Sequence, residues 1–259
     1  MVSAVLAIRY VQYFPIANEP GREQYWRDRL ATEGFEVVEE YDPSVTIITI
    51  GGDGTILYAA RNYADPTILP VRAGTSKGNR AAFDVDRLLE KLTSLEDGRG
   101  KLVSRAFQTL TAFKEGEELR GGFRALNEIS LHHQSPVLAT TFATRIDDGG
   151  TVREFPELIG DGVLVATPFG STGYFRAITN QTFTEGFGIA FNNIHTPRDM
   201  PEMLRCSEEA VVELEVLTTK RSSGAVLTRD DDDDPYQLAA GETITVRAGD
   251  RTVDLLDIE

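Results

Sequence analysis

The sequence predicts an α/β N-terminal domain followed by a mostly antiparallel, β-rich C-terminal domain. Three observations carry that expectation. Short apolar runs alternate with helix-period segments as far as Leu95. A glycine turn, Gly51-Gly52-Asp53-Gly54-Thr55, joins the apolar run Thr46–Ile50 to the helix-prone Ile56–Arg61. Beyond Asp97-Gly98-Arg99-Gly100, strand-like segments follow one another through glycine turns with no long helix between them.

In chain order, Val2–Ile8 suits a first buried strand, and Arg22–Glu33 reads as an amphipathic helix stopped by Gly34. Phe35–Glu39 is a second strand candidate, and Thr46–Ile50 is the strand that enters the glycine turn, with a helix from about Thr55. Ile68–Val71 is another short strand, and Asp84 is placed to cap a helix through Leu95 whose apolar stripe is Val85, Leu88, Leu89 and Leu92. The linker Asp97–Gly100 gives expected domains of 1–100 and 101–259, with the last strands able to pack back on the first. Glu115-Gly116-Glu117 marks a hairpin between Thr109–Lys114 and Leu119–Arg124. Asp147-Asp148-Gly149-Gly150 marks a second, between Val137–Ile146 and Thr151–Phe155. Val211–Thr218, Ala225–Thr228, Glu242–Val246 and Val253–Ile258 complete the strands, and the acidic run Asp230–Asp234 reads as a solvated loop between two of them.

The composition narrows the class of function. A hydrophobic share of 41% over 259 residues supports a substantial core, and a mean hydropathy of −0.22 indicates a polar surface. The formal charge is −15, and only five of the 26 basic residues are lysines. That pattern points to a salt-adapted protein whose surface repulsion is relieved by screening. It argues against nonspecific nucleic-acid binding, which draws on basic residues. One cysteine, Cys206, excludes an internal disulfide and a multi-cysteine zinc site. Without a long apolar segment or a leader-like start, the expectation is a cytoplasmic protein with no membrane partner.

The glycine turn is the first candidate for chemistry. Glycines allow unusual backbone conformations and close ligand approach, and a following helix adds its positive end, so the preferred occupant is a phosphate chain. Asp53 repels phosphate unless it binds a metal ion or accepts a proton from an attacking hydroxyl. The alternative is a structural turn with Asp53 near the helix cap. In Ala125-Leu126-Asn127-Glu128-Ile129 a polar pair interrupts an apolar segment; it either holds a sugar or base, or forms a turn or sheet edge. In Gly160-Asp161-Gly162-Val163-Leu164-Val165-Ala166-Thr167-Pro168-Phe169-Gly170-Ser171-Thr172-Gly173-Tyr174 a buried strand enters a loop of small residues, with Tyr174 able to stack or bond. His132, His133 and His195 lack a metal-ligand pattern, so no metal ligand is assigned among side chains.

Taken together, GGDGT, ALNE and DGVLVATPFGSTGY resemble the NAD kinase family. The resemblance implies a Rossmann-like first domain and transfer of a phosphoryl group from ATP or polyphosphate, with Mg²⁺, to the adenosine ribose 2′-hydroxyl of NAD. It makes Asp53 the acid that activates the hydroxyl, with Gly51, Gly52, Gly54 and Thr55 shaping the phosphate cradle. It gives Asn127, Glu128, Asp161, Thr172, Gly173 and Tyr174 to NAD, and implies a homo-oligomer. The family's glycine loop is altered here to Val71-Arg72-Ala73-Gly74-Thr75-Ser76-Lys77-Gly78-Asn79-Arg80. Arg72, Lys77 and Arg80 there either meet phosphates or belong to a plain surface loop. GGDGT also resembles diacylglycerol and sphingosine kinases, which leaves a lipid-type acceptor as an alternative. A noncatalytic nucleotide-binding regulator is the other.

Overall fold

The structure is a computed structural model that describes residues 10–13, 22–35, 37, 43–73, 80–219 and 224–259. The chain divides into two compact units, one of residues 1–107 with 251–259 and one of residues 108–250. The division falls inside the strand Leu102–Lys114, seven residues beyond the Asp97–Gly100 turn.

The first unit is an α/β layer. Tyr10–Tyr13, Thr46–Gly51 and Thr67–Arg72 lie side by side in parallel, and Asp254 and Leu255 of the last strand join Thr67 and Ile68, also in parallel. All six residues of Thr46–Gly51 are buried, Thr46 and Thr49 included, so this strand is covered on both faces rather than alternating between core and solvent. Ile48, Ile50, Leu69 and Val71 meet Leu30 of the helix Arg22–Thr32, Leu88 and Leu92 of the helix Leu88–Glu96, and Leu256 and Ile258. Each such aliphatic side chain contributes roughly 1.5–3 kcal/mol by leaving water.

Helix ends show how local chemistry works here. The Gly34 amide donates to Ala31 O and the Phe35 amide to Leu30 O, with Gly34 at φ +90, a glycine-terminated stop. Asp84 makes no side-chain cap: a 3₁₀ turn, Val85–Arg87, precedes the helix, and the Asp84 carboxylate faces Arg72 at 3.7 Å instead. The Asp97–Gly100 turn is tied back to its helix, since the Arg99 and Gly100 amides both donate to Ser94 O. The expected strands Val2–Ile8 and Phe35–Glu39 lie wholly or largely outside the described residues.

The second unit is mostly antiparallel β. One sheet runs Met203–Cys206, Phe187–Asn192, Gly162–Ala166, Glu128–His133, Ala225–Arg229, Tyr236–Leu238 in spatial order, every pair antiparallel. Facing it are Thr151–Gly160, Thr140–Asp148, Val211–Val216 and the leading part of Thr243–Ile258. Val163, Val165, Ile129, Leu131 and Ile189 pack against Phe142, Ile146, Val212, Leu214 and Ile244 between them. On the other face Leu164, Ala166 and Ala190 lie under Phe175 and Phe183, so both sides of Gly162–Ala166 are covered.

Both expected hairpins form. Gly149 and Gly150 take positive φ between Asp148 and Thr151, the pair that closes the ladder. At the other, Glu115 and Gly116 take positive φ, but Leu119–Gly121 is a 3₁₀ turn and only Arg124–Ala125 continues as strand. Glu242–Val246 and Val253–Ile258 are two ends of one strand, Thr243–Ile258.

Candidate functional site

The glycine turn of the first unit carries Asp53. Its helix spans Asp53–Asn62, starting two residues earlier than expected, with Gly52 as the cap residue. Asp53 therefore stands in the first helical turn, where the positive end of the helix favours a carboxylate or a phosphate. Gly52 is extended at φ −111 and Gly54 is helical, so neither relies on a left-handed conformation. Gly51 is required for a different reason, the close approach of the Thr55 hydroxyl. Thr55 itself is buried, and its amide donates to Gly52 O at 3.1 Å.

Among the described residues of the altered loop, Arg80 lies next to the acid. Its amide donates to Asp53 Oδ1 at 3.2 Å, and burial pulls its guanidinium pKa down while Asp53 opposes that. Arg72 lies beside Asp84. Lys77 falls outside the described residues.

The second unit gathers the remaining predicted side chains. Glu128 opens its strand opposite Ala166, which leads straight into the Thr167–Tyr174 loop. Thr167 ties the two together: its amide donates to Asn127 O at 2.9 Å and its hydroxyl to Leu126 O at 2.6 Å. Gly170 lies so close to the Asn127 backbone that a side chain would not fit, and Gly173 lies near the Asn127 amide group. Asp161 is fixed by Asn193, whose Nδ2 donates to Asp161 Oδ2 at 3.0 Å. Tyr174, partly exposed, accepts a hydrogen bond from Asn192 Nδ2 at 3.0 Å and stacks on His132 with ring centroids 5.9 Å apart.

These groups sense one another electrically. Burial raises the Tyr174 hydroxyl pKa, and the charges of Asp161 and Glu128 add to that. Burial pulls His132 down, His133 adds to this, and Asp161 opposes it. Glu128 is only 7% exposed, and its Oε2 has no hydrogen-bond partner among the described residues. Burial, then Asp230 and Asp231, push its carboxyl up to about 8. The structure thus brings Asn127, Glu128, Asp161, Gly173 and Tyr174 into one polar region, with Thr172 exposed in the adjoining 3₁₀ turn.

Asp230 and Asn192 carry no site signal in the sequence. The acidic run is not a simple solvated loop. Asp232 pairs with Arg229 at 2.7 Å and Asp234 with Arg120 at 2.6 Å, while the Asp230 carboxylate turns onto the amides of Leu126, Asn127 and Glu128. Five adjacent acids resemble a surface run in any local pattern, and the contacts that distinguish Asp230 and Asp234 lie about a hundred residues away.

No protein-family model matches the chain. The NAD kinase of Natranaerobius thermophilus is 27% identical over 241 residues, covering 89% of this chain and 79% of that protein. The yeast NADH kinase, solved in complex with NADH, superposes with a TM-score of 0.76 at 18% identity, over 96% of this chain and 82% of that one. An NAD kinase from Archaeoglobus fulgidus, solved with ATP, gives a TM-score of 0.72 at 20% identity, over 95% and 92%. The structural matches establish a shared fold, and the sequence relationship extends through both units. The chain is thus similar in sequence to NAD kinases along most of its length and shares the fold of the solved NAD and NADH kinases.

Proposed function

We propose that this protein is an NAD kinase, transferring a phosphoryl group to the adenosine ribose 2′-hydroxyl of NAD to form NADP. The observation that carries the reading is Asp53, a carboxylate in the first turn of a helix that follows a buried strand and a glycine cap. In this role Asp53 accepts the hydroxyl proton as the ribose oxygen bonds to the transferred phosphorus and the bond to the donor's leaving oxygen breaks. Gly51, Gly52, Gly54 and Thr55 shape the phosphate-binding turn, and Arg80, Arg72 and Lys77 supply positive charge to the phosphates. Asn127, Glu128, Asp161, Thr172, Gly173 and Tyr174 hold the dinucleotide.

The donor is ATP or polyphosphate, and ATP is the nucleotide bound by the Archaeoglobus relative. Among the described residues no group of three or more His, Cys, Asp or Glu side chains gathers to hold a metal ion. A divalent cation such as Mg²⁺ would be held mainly by donor phosphates, with Asp53 as the chain's carboxylate available to it. When bound, the cation neutralises charge on those phosphates. The reading also includes a cytoplasmic, homo-oligomeric enzyme from a salt-adapted cell, and the net charge of −15 and the scarcity of lysine support the salt adaptation.

The decisive assay is NADP formation from NAD with Mg²⁺ and ATP, then with polyphosphate, in low and molar KCl. NADP with either donor is the expected result. No NADP with any donor in high salt overturns the reading, and NAD binding without turnover points instead to a nucleotide-binding regulator.

A further inference from the structure

Asp230 ends the strand Ala225–Arg229 in a left-handed conformation, φ +44, uncommon for a residue with a side chain. That conformation lets one residue bond to the neighbouring strand in both directions. Its amide donates to Glu128 O at 3.0 Å. Its carboxylate accepts from three successive amides, Oδ2 from Leu126 at 3.0 Å and Oδ1 from Asn127 at 2.7 Å and Glu128 at 3.2 Å. Three consecutive N–H groups turned to one side form an anion-binding concavity, here filled by the protein's own carboxylate.

The second observation is the neighbouring acid. Glu128 is more than nine-tenths buried with one oxygen unpartnered among the described residues, a costly arrangement for a group with only a structural role. We propose that Asp230 is a positioning residue of the dinucleotide site, clamping the Leu126–Glu128 backbone so that the Asn127 and Glu128 side chains meet NAD in a fixed geometry. This rests on the NAD-phosphorylating reading above.

The clamp depends on ionisation, because a protonated Asp230 cannot accept from all three amides. Burial raises the Asp230 carboxyl to about 6 even though the three amides pull it down, and Asp231 adds to the rise. Glu128, raised by burial and by Asp230 and Asp231, takes up its proton at higher pH than Asp230 does. The nearby Arg229 guanidinium is engaged with Asp232 and with Gly122 O. Tyr174 also senses Glu128, with its hydroxyl raised by burial. The loss of clamping below about pH 6 is therefore assigned to Asp230.

The test measures NAD dissociation constants by calorimetry, with donor KM, kcat and melting temperature alongside, for wild type, Asp230→Ala and Asp230→Asn. Asp230→Ala should weaken NAD about tenfold or more while donor KM and kcat at saturating NAD stay within about twofold. Asp230→Asn keeps one oxygen acceptor and is neutral like a protonated Asp230, so at pH 8 it should bind NAD about as weakly as wild type does below about pH 6. Wild-type affinity should fall as pH drops through about 6, and Asp230→Asn should lose that fall. Unchanged NAD affinity in Asp230→Ala overturns the proposal. So does a parallel loss of NAD affinity, donor affinity and melting temperature, or an unaltered acid limb in Asp230→Asn. Wild type that binds NAD but makes no NADP overturns the proposed activity, while the dissociation constants still decide the role of Asp230. Wild type that binds no NAD overturns both.

Discussion

Gly51 and Thr55 occupy space that only one of them can fill with a side chain: a Cβ on Gly51 would lie 2.1 Å from Thr55 Oγ1 and 3.0 Å from Thr55 Cβ. The strand end and the first helical turn are thereby locked together beside Asp53. Gly51→Ala should destabilise the protein by about 1–3 kcal/mol through overpacking. Chemical denaturation should show part of that loss restored in the Gly51→Ala/Thr55→Ala double variant, where the hydroxyl has gone.

Asp53→Asn tests the acid without changing the shape of the turn. It keeps an oxygen that can accept from the Arg80 amide, now 3.2 Å from Asp53 Oδ1. Removing a general base costs about 100- to 10,000-fold in turnover. The variant should therefore lose NADP formation by that order while its melting temperature and NAD affinity stay close to wild type. A fully active Asp53→Asn removes Asp53 from its role.

Much of this organisation is legible where a local pattern sets it. The buried run Thr46–Ile50 before the glycines and the Gly149–Gly150 turn between strands both carry their structure in adjacent residues. Asp84 shows the limit, since the same acid that suits a helix cap finds Arg72 across the sheet edge and makes no cap bond. The presence of three glycines in the turn was evident, but the reason for Gly51 was not, because it lies in packing against Thr55 rather than in positive φ. Asp230 was the least legible residue. Its partners at Leu126–Glu128 become neighbours only when Ala225–Arg229 pairs with Glu128–His133.

The buried Glu128 sets a pH dependence of stability. Its carboxyl is raised from an ordinary 4.5 to about 8, so between those values the folded protein holds a proton that the unfolded chain releases. Stability from this group is full below about pH 4.5 and is lost as pH rises through about 8. Denaturant unfolding at pH 5, 7 and 9 should show that decline in wild type. Glu128→Gln should flatten it and be relatively more stable at pH 9.

The net charge of −15 predicts a second solution property. Repulsion among surface carboxylates opposes the compact state, and salt screens it over a Debye length of about 10 Å at 0.1 M and about 3 Å at 1 M. Melting temperature should rise from low to molar KCl. Equal stability at both would show that the acidic surface imposes no such penalty.

Gly170 and Gly173 belong to the same loop but should respond differently to the same change. A Cβ on Gly170 would lie 2.2 Å from Asn127 O and 2.6 Å from Asn127 Cα, and backbone cannot swing away as a side-chain tip can. A Cβ on Gly173 would come no closer than 3.3 Å, to Gly170 O, with the Asn127 amide nitrogen at 3.8 Å. Gly170→Ala should therefore displace Asn127, cost about 1–3 kcal/mol of stability and weaken NAD about tenfold or more. Gly173→Ala should leave stability within about 1 kcal/mol of wild type, because a shift of a few tenths of an ångström relieves its contact. Calorimetric titration with NAD and denaturant melts on both variants check the contrast. Equal effects at the two positions would mean that the Asn127 backbone yields more readily than its packing against Gly170 implies.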